Sequence, residues 1–208
     1  MEIATGIFIY LIIVFSAVFH EYSHGWVAYR LGDTTAKDAG RLTLNPIAHM
    51  DPMGTVLVPL LLMVTTGIFI GWAKPVPYNP RNLSDQKYGS LKVGVAGPAA
   101  NVIIALILGL FIRASIIYPA LFSAFSPFFF VLIELIIFIN IFLALFNLLP
   151  FPPLDGSKVF ADLFPRQWVY FEQLGFLGIF FALFIAFFFL APVAQFVFRL
   201  IVGKGFGF

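Results

Sequence analysis

The sequence predicts an all-α polytopic membrane protein that forms a single domain over residues 1–208. Composition is the first reason, because 61% of the 208 residues are hydrophobic and only 11% are charged, which is more apolar surface than a soluble domain of this length can bury. Length is the second reason, since a membrane-spanning helix needs about 20 mostly apolar residues. Five apolar segments qualify: 3–19, 54–73, 94–117, 128–149 and 173–203.

Charge, motifs and cysteine content narrow the class of protein. The formal net charge is +2, too small to indicate nucleic acid as a partner, and no G-x-x-x-x-G-K-[ST] run indicates a nucleotide site. The chain has no cysteine, which excludes disulfides, iron–sulfur clusters and thiolate metal ligands. Glu2 stands where a signal peptide has basic residues and no A-x-A site follows, so we expect no cleavable signal.

The stretch VFHEYSHGWVAY, residues 18–29, places three chemically active side chains in an apolar helix. No proline interrupts residues 3–30, which we predict to be one helix. On it His20 and His24 share one face, and Glu21 is about 100° around the axis from His20. This is the H-E-x-x-H pattern, in which two imidazoles bind zinc and the glutamate faces the water to be activated. Ionisable groups inside a membrane are costly and usually functional, which favours a metal site over a helix end wetted by headgroups.

A catalytic zinc site needs a third protein ligand and one open position. Three prolines in NLLPFPPLDGSKVF, residues 147–160, must end or unwind a helix just before Asp155. By spacing alone Asp155 is an ordinary helix N-cap. The candidates for the third ligand are Asp155, His49, Asp51, Asp33 and Asp38.

Three elements of the sequence together resemble the site-2 protease family of intramembrane zinc metalloproteases. HEYSH resembles its zinc-binding helix, GPAAN (Gly97 to Asn101) its G-x-x-x-N element, and NLLPFPPLDG (Asn147 to Gly156) its N-x-x-P-x-x-x-x-D-G element. The resemblance covers roughly residues 5–165 and is to the compact bacterial branch, because no PDZ or CBS domain is visible.

The resemblance implies a zinc endopeptidase that hydrolyses peptide bonds in or near transmembrane segments of membrane-protein substrates, with one Zn²⁺ per chain. In that family pattern His20, His24 and Asp155 are the metal ligands and Glu21 is the catalytic base. Asn101 and Asn147 would bind the substrate backbone or the oxyanion, although asparagines between membrane helices also serve to hold helices together. The expected partners are transmembrane substrates and the lipid bilayer. Whether the chain forms an oligomer is an open question at the level of the sequence.

The polar stretch after the first helix resembles the small β element of the same family. The segments concerned are AGRLTLNPIAHMDPMGT, residues 39–55, and GWAKPVPYNP, residues 71–80. RLTLN alternates polar and apolar residues, as a half-buried strand does. A strand edge there would satisfy the backbone of an unwound substrate segment, which lipid cannot do. An ordinary polar connecting loop is the alternative for Thr43, Asn45, His49 and Asp51.

Segment 54–73 is predicted to dip into the membrane and return, leaving core helices at about 3–30, 94–117 and 128–149. If the segment crossed fully, the first and third core helices would run antiparallel, and Asp155 would lie on the order of 20 Å from His24. Zinc bonds are only about 2 Å long. A broken, re-entrant path is favoured by the residues Gly54, Pro59, Thr65, Thr66, Gly67 and Gly71.

The distribution of basic residues agrees with the re-entrant path. It places nine of them on one side of the membrane against Arg113 alone in the loop 113–127. Such a bias marks the cytoplasmic side, so we predict a cell-membrane protein with its N-terminus outside and its zinc site toward the cytoplasm. The nine are Arg30, Lys37, Arg41, Lys74, Arg81, Lys87, Lys92, Lys158 and Arg166.

Two other function classes stay open at this stage. A zinc-binding membrane transporter or channel would explain buried histidine and aspartate through an ion path, but it would not require Glu21 beside His20. A catalytically inactive relative that binds membrane helices would not need an intact Glu21 either. In the last part of the chain, residues 173–203 form one kinked helix or two short helices around Pro192, and we expect Glu134 to pair with Arg113.

Overall fold

The computed structural model describes residues 3–66, 71, 73–175 and 177–206. These residues are helical or irregular, and no strand occurs among them. Four helical stretches are long and apolar enough to cross a membrane, so the predicted all-α polytopic membrane protein is confirmed. They are Gly6–Arg30, Gly89–Ile117, Pro127–Asn147 and Leu177–Val202.

Ten α-helices are assigned within the described residues. Two π-helical stretches, Pro52–Leu57 and Ala186–Leu190, precede the fourth and the tenth. The α-helices are α1 (Ile3–Arg30), α2 (Thr35–Asp38), α3 (Pro46–His49), α4 (Val58–Thr66), α5 (Gly89–Ile117), α6 (Pro127–Asn147), α7 (Asp155–Leu163), α8 (Pro165–Glu172), α9 (Leu177–Ile185) and α10 (Ala191–Val202).

The chain divides into two compact units, Met1–Gly97 and Pro98–Phe208. Helix α5 contributes its first turns to one unit and the rest to the other. The prediction of a single domain therefore stays a prediction.

Helix α1 has 28 residues and is about 42 Å long at 1.5 Å per residue. Apolar side chains such as Ile7, Leu11 and Phe15 are exposed along it, as expected for a helix that contacts lipid. It ends at Arg30 because Gly32 takes φ 98°, the left-handed conformation that glycine adopts without strain.

A buried carboxylate joins the turn after α1 to the chain that leads into α5. Asp33 is fully buried and accepts hydrogen bonds from the Thr35 N–H and hydroxyl, the Asn79 N–H and the Asn82 side-chain amide. Burial is the largest single influence and raises the pKa of Asp33, but these hydrogen bonds together outweigh it, so the pKa lies below its ordinary value of 3.8. The ionised carboxylate therefore stabilises this part of the fold.

The segment that follows α3 and leads to Lys74 has its two ends close together. Asp51 caps it by accepting the N–H groups of Met53 and Gly54, and its apolar helix Pro52–Leu62 is too short to count among the candidate spans. The Lys74 N–H donates to the His49 carbonyl at 2.9 Å, so the two ends of the segment meet. A Cβ on Gly71 would lie 2.6 Å from the Gly54 carbonyl oxygen, an approach that only glycine permits. Gly67, on which the re-entrant prediction also rested, lies outside the described residues.

The small β element is not confirmed. Residues 41–45 form turns, because short polar side chains hydrogen-bond to the nearby backbone in place of a strand partner. Thr43 Oγ1 accepts the Asn45 N–H, and Asn45 Oδ1 accepts the Ile47 N–H and so caps α3. Among the described residues the alternation of RLTLN thus belongs to a capped turn and not to a strand.

The second unit packs α10 against α6 around a core that includes Ile137, Ile141 and Phe198. α9, the π-helical stretch and α10 follow one another as a single apolar span of 26 residues. Pro192 stands just after the π-helical stretch, where the changed hydrogen-bond register of the helix accommodates its missing N–H. Of the two arrangements left open for residues 173–203, the structure has one crossing helix.

The expected partner of Glu134 was wrong. The Lys204 ammonium lies 2.7 Å from the Glu134 carboxylate, and the Arg113 guanidinium donates to the Leu200 carbonyl at 3.3 Å. Gly203, at φ 90°, turns the chain at the end of α10 so that Lys204 reaches α6. Arg113 instead lies at the C-terminus of α10, where a cation is favourable.

We expect Asp33→Asn to lower the free energy of unfolding by about 2 kcal/mol, because the new amide would face the Asn79 N–H donor to donor. Thermal unfolding of the detergent-solubilised protein measures this, with exposed Asp38→Asn as the matched control. A lowered folded-state pKa gives stability that is present above about pH 4 and is lost as the pH falls through the folded pKa. That acid loss should be smaller in Asp33→Asn, and equal acid curves would contradict the role of Asp33.

Candidate metal centre

Three side chains of α1 converge on one point. The candidate ligand atoms of His20, Glu21 and His24 all lie within 4.8 Å of one another. Both imidazoles are buried, Glu21 is half-buried, and the two imidazole ring centroids are 4.7 Å apart. The helical spacing thus places two imidazoles and a carboxylate together inside an apolar span, and their roles as metal ligands and base stay predictions.

A backbone carbonyl fixes the orientation of His24. Its Nδ1 lies 2.6 Å from the Val93 carbonyl oxygen, and only a protonated Nδ1 can donate to that oxygen. In the neutral ring the lone pair is then on Nε2, the usual arrangement of a metal-binding histidine with an outer hydrogen bond. The first turns of α5 therefore prepare His24 as a ligand.

Gly97 lies close against both imidazoles. A Cβ on Gly97 would lie 2.5 Å from His20 Nε2 and 2.4 Å from His24 Nε2. Any side chain at position 97 would thus clash with both imidazoles, so the close approach of α5 to these rings requires glycine. Two imidazole nitrogens and a carboxylate oxygen that lie within 4.8 Å of one another fit zinc, which accepts nitrogen and oxygen ligands.

The carboxylate of Glu21 is held on one side only. The Val76 N–H donates to Glu21 Oε2 at 2.7 Å. Within the described part of the chain, no group donates a hydrogen bond to the other oxygen, Oε1. Glu21 therefore has one oxygen fixed and one available for a proton.

Asp155 is the first residue of α7, and Leu154 is the N-cap. The N-cap reading of Asp155 is therefore wrong by one position. Asp155 is buried, and its Oδ1 lies 2.8 Å from the Lys158 ammonium. A Cβ on Gly156 would lie 2.2 Å from the Leu148 carbonyl oxygen, so the Asp-Gly pair allows α7 to start against the end of α6. The role of Asp155 as third ligand stays a prediction.

The two asparagines from the family pattern make hydrogen bonds between or within helices. Asn101, fully buried, donates its amide to Asn140 Oδ1 at 2.7 Å. Asn147 donates to the Leu143 carbonyl, one turn earlier on α6. These contacts agree with the helix-packing alternative, and substrate binding by either residue stays a prediction.

The remaining candidates for a third ligand are engaged elsewhere. His49 Nε2 lies 2.7 Å from the Thr43 carbonyl, Asp51 caps the segment that follows it, and Asp38 accepts the Thr34 hydroxyl. Among the described residues, His20, Glu21 and His24 are the one group of three acidic or histidine side chains placed to bind a metal. Sequence reasoning missed Val76 and Val93, whose backbone atoms leave no side-chain signal.

The fold and the site define a multi-pass membrane protein with an H-E-x-x-H metal centre, and comparisons with known proteins agree. A profile of the family described as Peptidase family M50 matches residues 120–191, which include Asp155. "Putative zinc metalloprotease YwhC" of Bacillus subtilis is 42% identical over 164 residues, covering 75% of this chain and 69% of that protein.

Two mycobacterial proteins, each called "Putative zinc metalloprotease Rip2", are also similar. The one from Mycolicibacterium smegmatis is 33% identical and the one from Mycobacterium tuberculosis 28% identical, each over 73% of this chain and 56% of the relative. The chain thus aligns with little more than half the length of these two relatives. No solved structure matches the chain.

The chain belongs to peptidase family M50. Membership in this family of site-2 proteases makes it a membrane-embedded zinc metalloprotease, so the predicted family, enzyme class and cofactor are confirmed. The family implies a lipid environment and membrane proteins as substrates.

We expect Gly97→Ala to lower zinc affinity by at least about tenfold, the order typical of disturbing the immediate surroundings of metal ligands. The new methyl would lie in front of both imidazole nitrogens. Metal analysis after dialysis against a graded series of chelator concentrations measures the change. Gly205→Ala, where a Cβ would meet its nearest neighbour at 3.6 Å, is the matched control. Equal zinc retention in the two variants would contradict the need for glycine at position 97.

Proposed function

We propose that the chain cleaves peptide bonds in or near the membrane-spanning segments of its substrates, with zinc held by His20, His24 and Asp155. The observation that carries the proposal is the convergence of His20, Glu21 and His24, whose candidate ligand atoms lie within 4.8 Å of one another inside an apolar span. Two histidines and one carboxylate are a usual ligand set for a catalytic zinc.

Glu21 is the general base in this proposal. Zinc at this site supplies a Lewis acid that polarises the scissile carbonyl and activates a water. The free oxygen Oε1 of Glu21 takes a proton from the attacking water while Oε2 stays bound to the Val76 N–H. Glu21 then passes the proton to the nitrogen of the leaving amine, which a peptide bond needs before it can separate.

The segment 54–73 is re-entrant in this proposal. Support comes from its two ends, which lie together at the Lys74 to His49 hydrogen bond, and from the close passage of Gly71 along Gly54. Backbone that is not helical can exist at membrane depth only where it is buried in protein or lines a cavity. A returning segment also keeps both polar stretches of the first unit on one side.

That side is the cytoplasm in our proposal, and the cell membrane is the location. The turn after α1 and the stretch before α5 are joined through Asp33, and together with the end of α1 and the start of α5 they hold seven basic residues. A concentration of lysine and arginine marks the cytoplasmic side of a membrane protein. The seven are Arg30, Lys37, Arg41, Lys74, Arg81, Lys87 and Lys92.

We expect Glu21→Gln to keep zinc and lose cleavage, and Asp155→Ala to lose both. The first change removes the base and leaves the nitrogen ligands, whereas the second removes a ligand. Zinc analysis of the purified protein, paired with cleavage of a co-expressed panel of single-span proteins, separates the two effects. Asp38→Ala, at an exposed position, is the control. Cleavage by Glu21→Gln at the parental rate would remove Glu21 from the mechanism, and parental zinc content in Asp155→Ala would remove Asp155 from the ligand set.

We expect Lys37→Cys and Ser84→Cys to be labelled from the cytoplasm, because a re-entrant segment between them leaves both on one side. Ser123→Cys, in the loop between α5 and α6, should be labelled from outside. The chain has no cysteine of its own and all three positions are exposed, so each variant carries one reactive thiol. An impermeant maleimide applied to intact cells and to inverted vesicles shows on which side of the membrane each cysteine lies. Opposite sides for Lys37→Cys and Ser84→Cys would show that the segment crosses.

A further inference from the structure

Residues 74–79, with the sequence KPVPYN, form an extended connection that we call the strap. Pro75 and Pro77 have no backbone N–H and hold φ near −65°, and a residue before proline is restricted to extended backbone. Val76 therefore carries the one N–H between Lys74 and Tyr78, in a conformation that its neighbours restrict.

That single N–H donates to Glu21. The Val76 nitrogen lies 2.7 Å from Glu21 Oε2, the short distance of a hydrogen bond to a charged acceptor. The Val76 side chain is buried, and its γ-carbon would lie 3.0 Å from a Cβ on Gly25. Gly25, the residue after His24, thus allows the strap to lie close against α1.

Arg41 anchors the first half of the strap. Its guanidinium donates to the Lys74 carbonyl at 2.7 Å and to the Pro75 carbonyl at 3.4 Å, and it also donates to the Ala48 carbonyl. The fixed, planar arrangement of guanidinium donors suits several carbonyls at once, which an ammonium group does not match. The strap cannot shift relative to Arg41 without breaking these bonds.

Asp33 anchors the other end. Its Oδ2 accepts the Asn79 N–H at 2.7 Å, three residues after Val76. With both ends held, the position of the Val76 N–H is set by groups that lie outside the metal centre. Two charged side chains, the buried Asp33 and the half-buried Arg41, thus hold a connection of six residues.

We propose that the strap is a positioning element for the general base, and that Arg41 acts through it as a positioning residue. The Val76 N–H fixes Oε2 of Glu21 and thereby directs Oε1 toward the reacting water. This inference rests on the proposed role of Glu21. Because misplacement of a catalytic group by about 1 Å can cost on the order of 100-fold in rate, loss of an anchor lowers kcat and leaves substrate binding unchanged.

Arg41→Met tests the strap, and Arg81→Met, which removes an exposed arginine from the same polar region, is the matched control. We expect kcat for Arg41→Met to fall roughly 10- to 100-fold at parental KM and parental zinc content, and Arg81→Met to match the parent. Val76→Pro, which removes the N–H itself, should show the same kcat loss. A merely structural role would change zinc content, KM or the unfolding temperature together with kcat.

A spectroscopic measurement tests the contact without any turnover. In protein labelled with ¹⁵N-valine, the Val76 amide proton should resonate downfield and shift upfield in both Glu21→Ala and Arg41→Met. Arg81→Met should leave that resonance in place. An unmoved resonance in Arg41→Met would overturn the coupling of Arg41 to Glu21.

The outcomes separate this inference from the proposed function. If the parent does not cleave, or if Glu21→Gln cleaves as well as the parent, the role of Glu21 fails. If cleavage depends on Glu21 while Arg41→Met and Val76→Pro keep parental kcat, or lose zinc or KM together with kcat, the strap has no positioning role.

Discussion

Polar groups in the membrane interior must find their hydrogen-bond partners within the protein, and the metal centre depends on that constraint. Helix α1 carries two imidazoles and a carboxylate along an apolar span, where lipid offers no hydrogen-bond partner. The Val93 carbonyl accepts a hydrogen bond from His24, and the Val76 N–H donates one to Glu21. Both partners are backbone groups, so the site depends on how closely the start of α5 and the strap approach α1.

That approach is maintained by polar side chains together with a small apolar cluster of Ala28, Leu83 and Val93. Asp33 holds the chain before α5 against the end of α1, and Arg41 holds the strap. Asp33 lies in a polar stretch after the first helix, and Arg41 begins the RLTLN stretch that the sequence predicts as a strand. Their polarity has a structural purpose, because a charged side chain with several backbone partners fixes an irregular segment that has no helix or strand of its own.

The membrane helices could be predicted from the sequence because length and hydropathy determine them. The predicted helix 128–149 agrees closely with the observed helix Pro127–Asn147. The predicted helix 94–117 begins five residues after the observed start of α5 at Gly89, because the polar first residues of α5 resemble a loop. Alternation over five residues could not distinguish a strand from capped turns at residues 41–45. The Glu134 partner depends on how Gly203 turns the chain, which no local pattern reveals. The site divides in the same way, since spacing gives two imidazoles on one face, whereas their backbone partners depend on tertiary contacts.

Gly97 affects how related sequences should be interpreted. The histidines and the glutamate are what a search for active members would examine, yet even a methyl group at position 97 would clash with both imidazoles. A homologue with alanine there would keep both histidines and the glutamate and would bind its ion less tightly. Inventories of working proteases in genomes should therefore count this glycine along with the histidines.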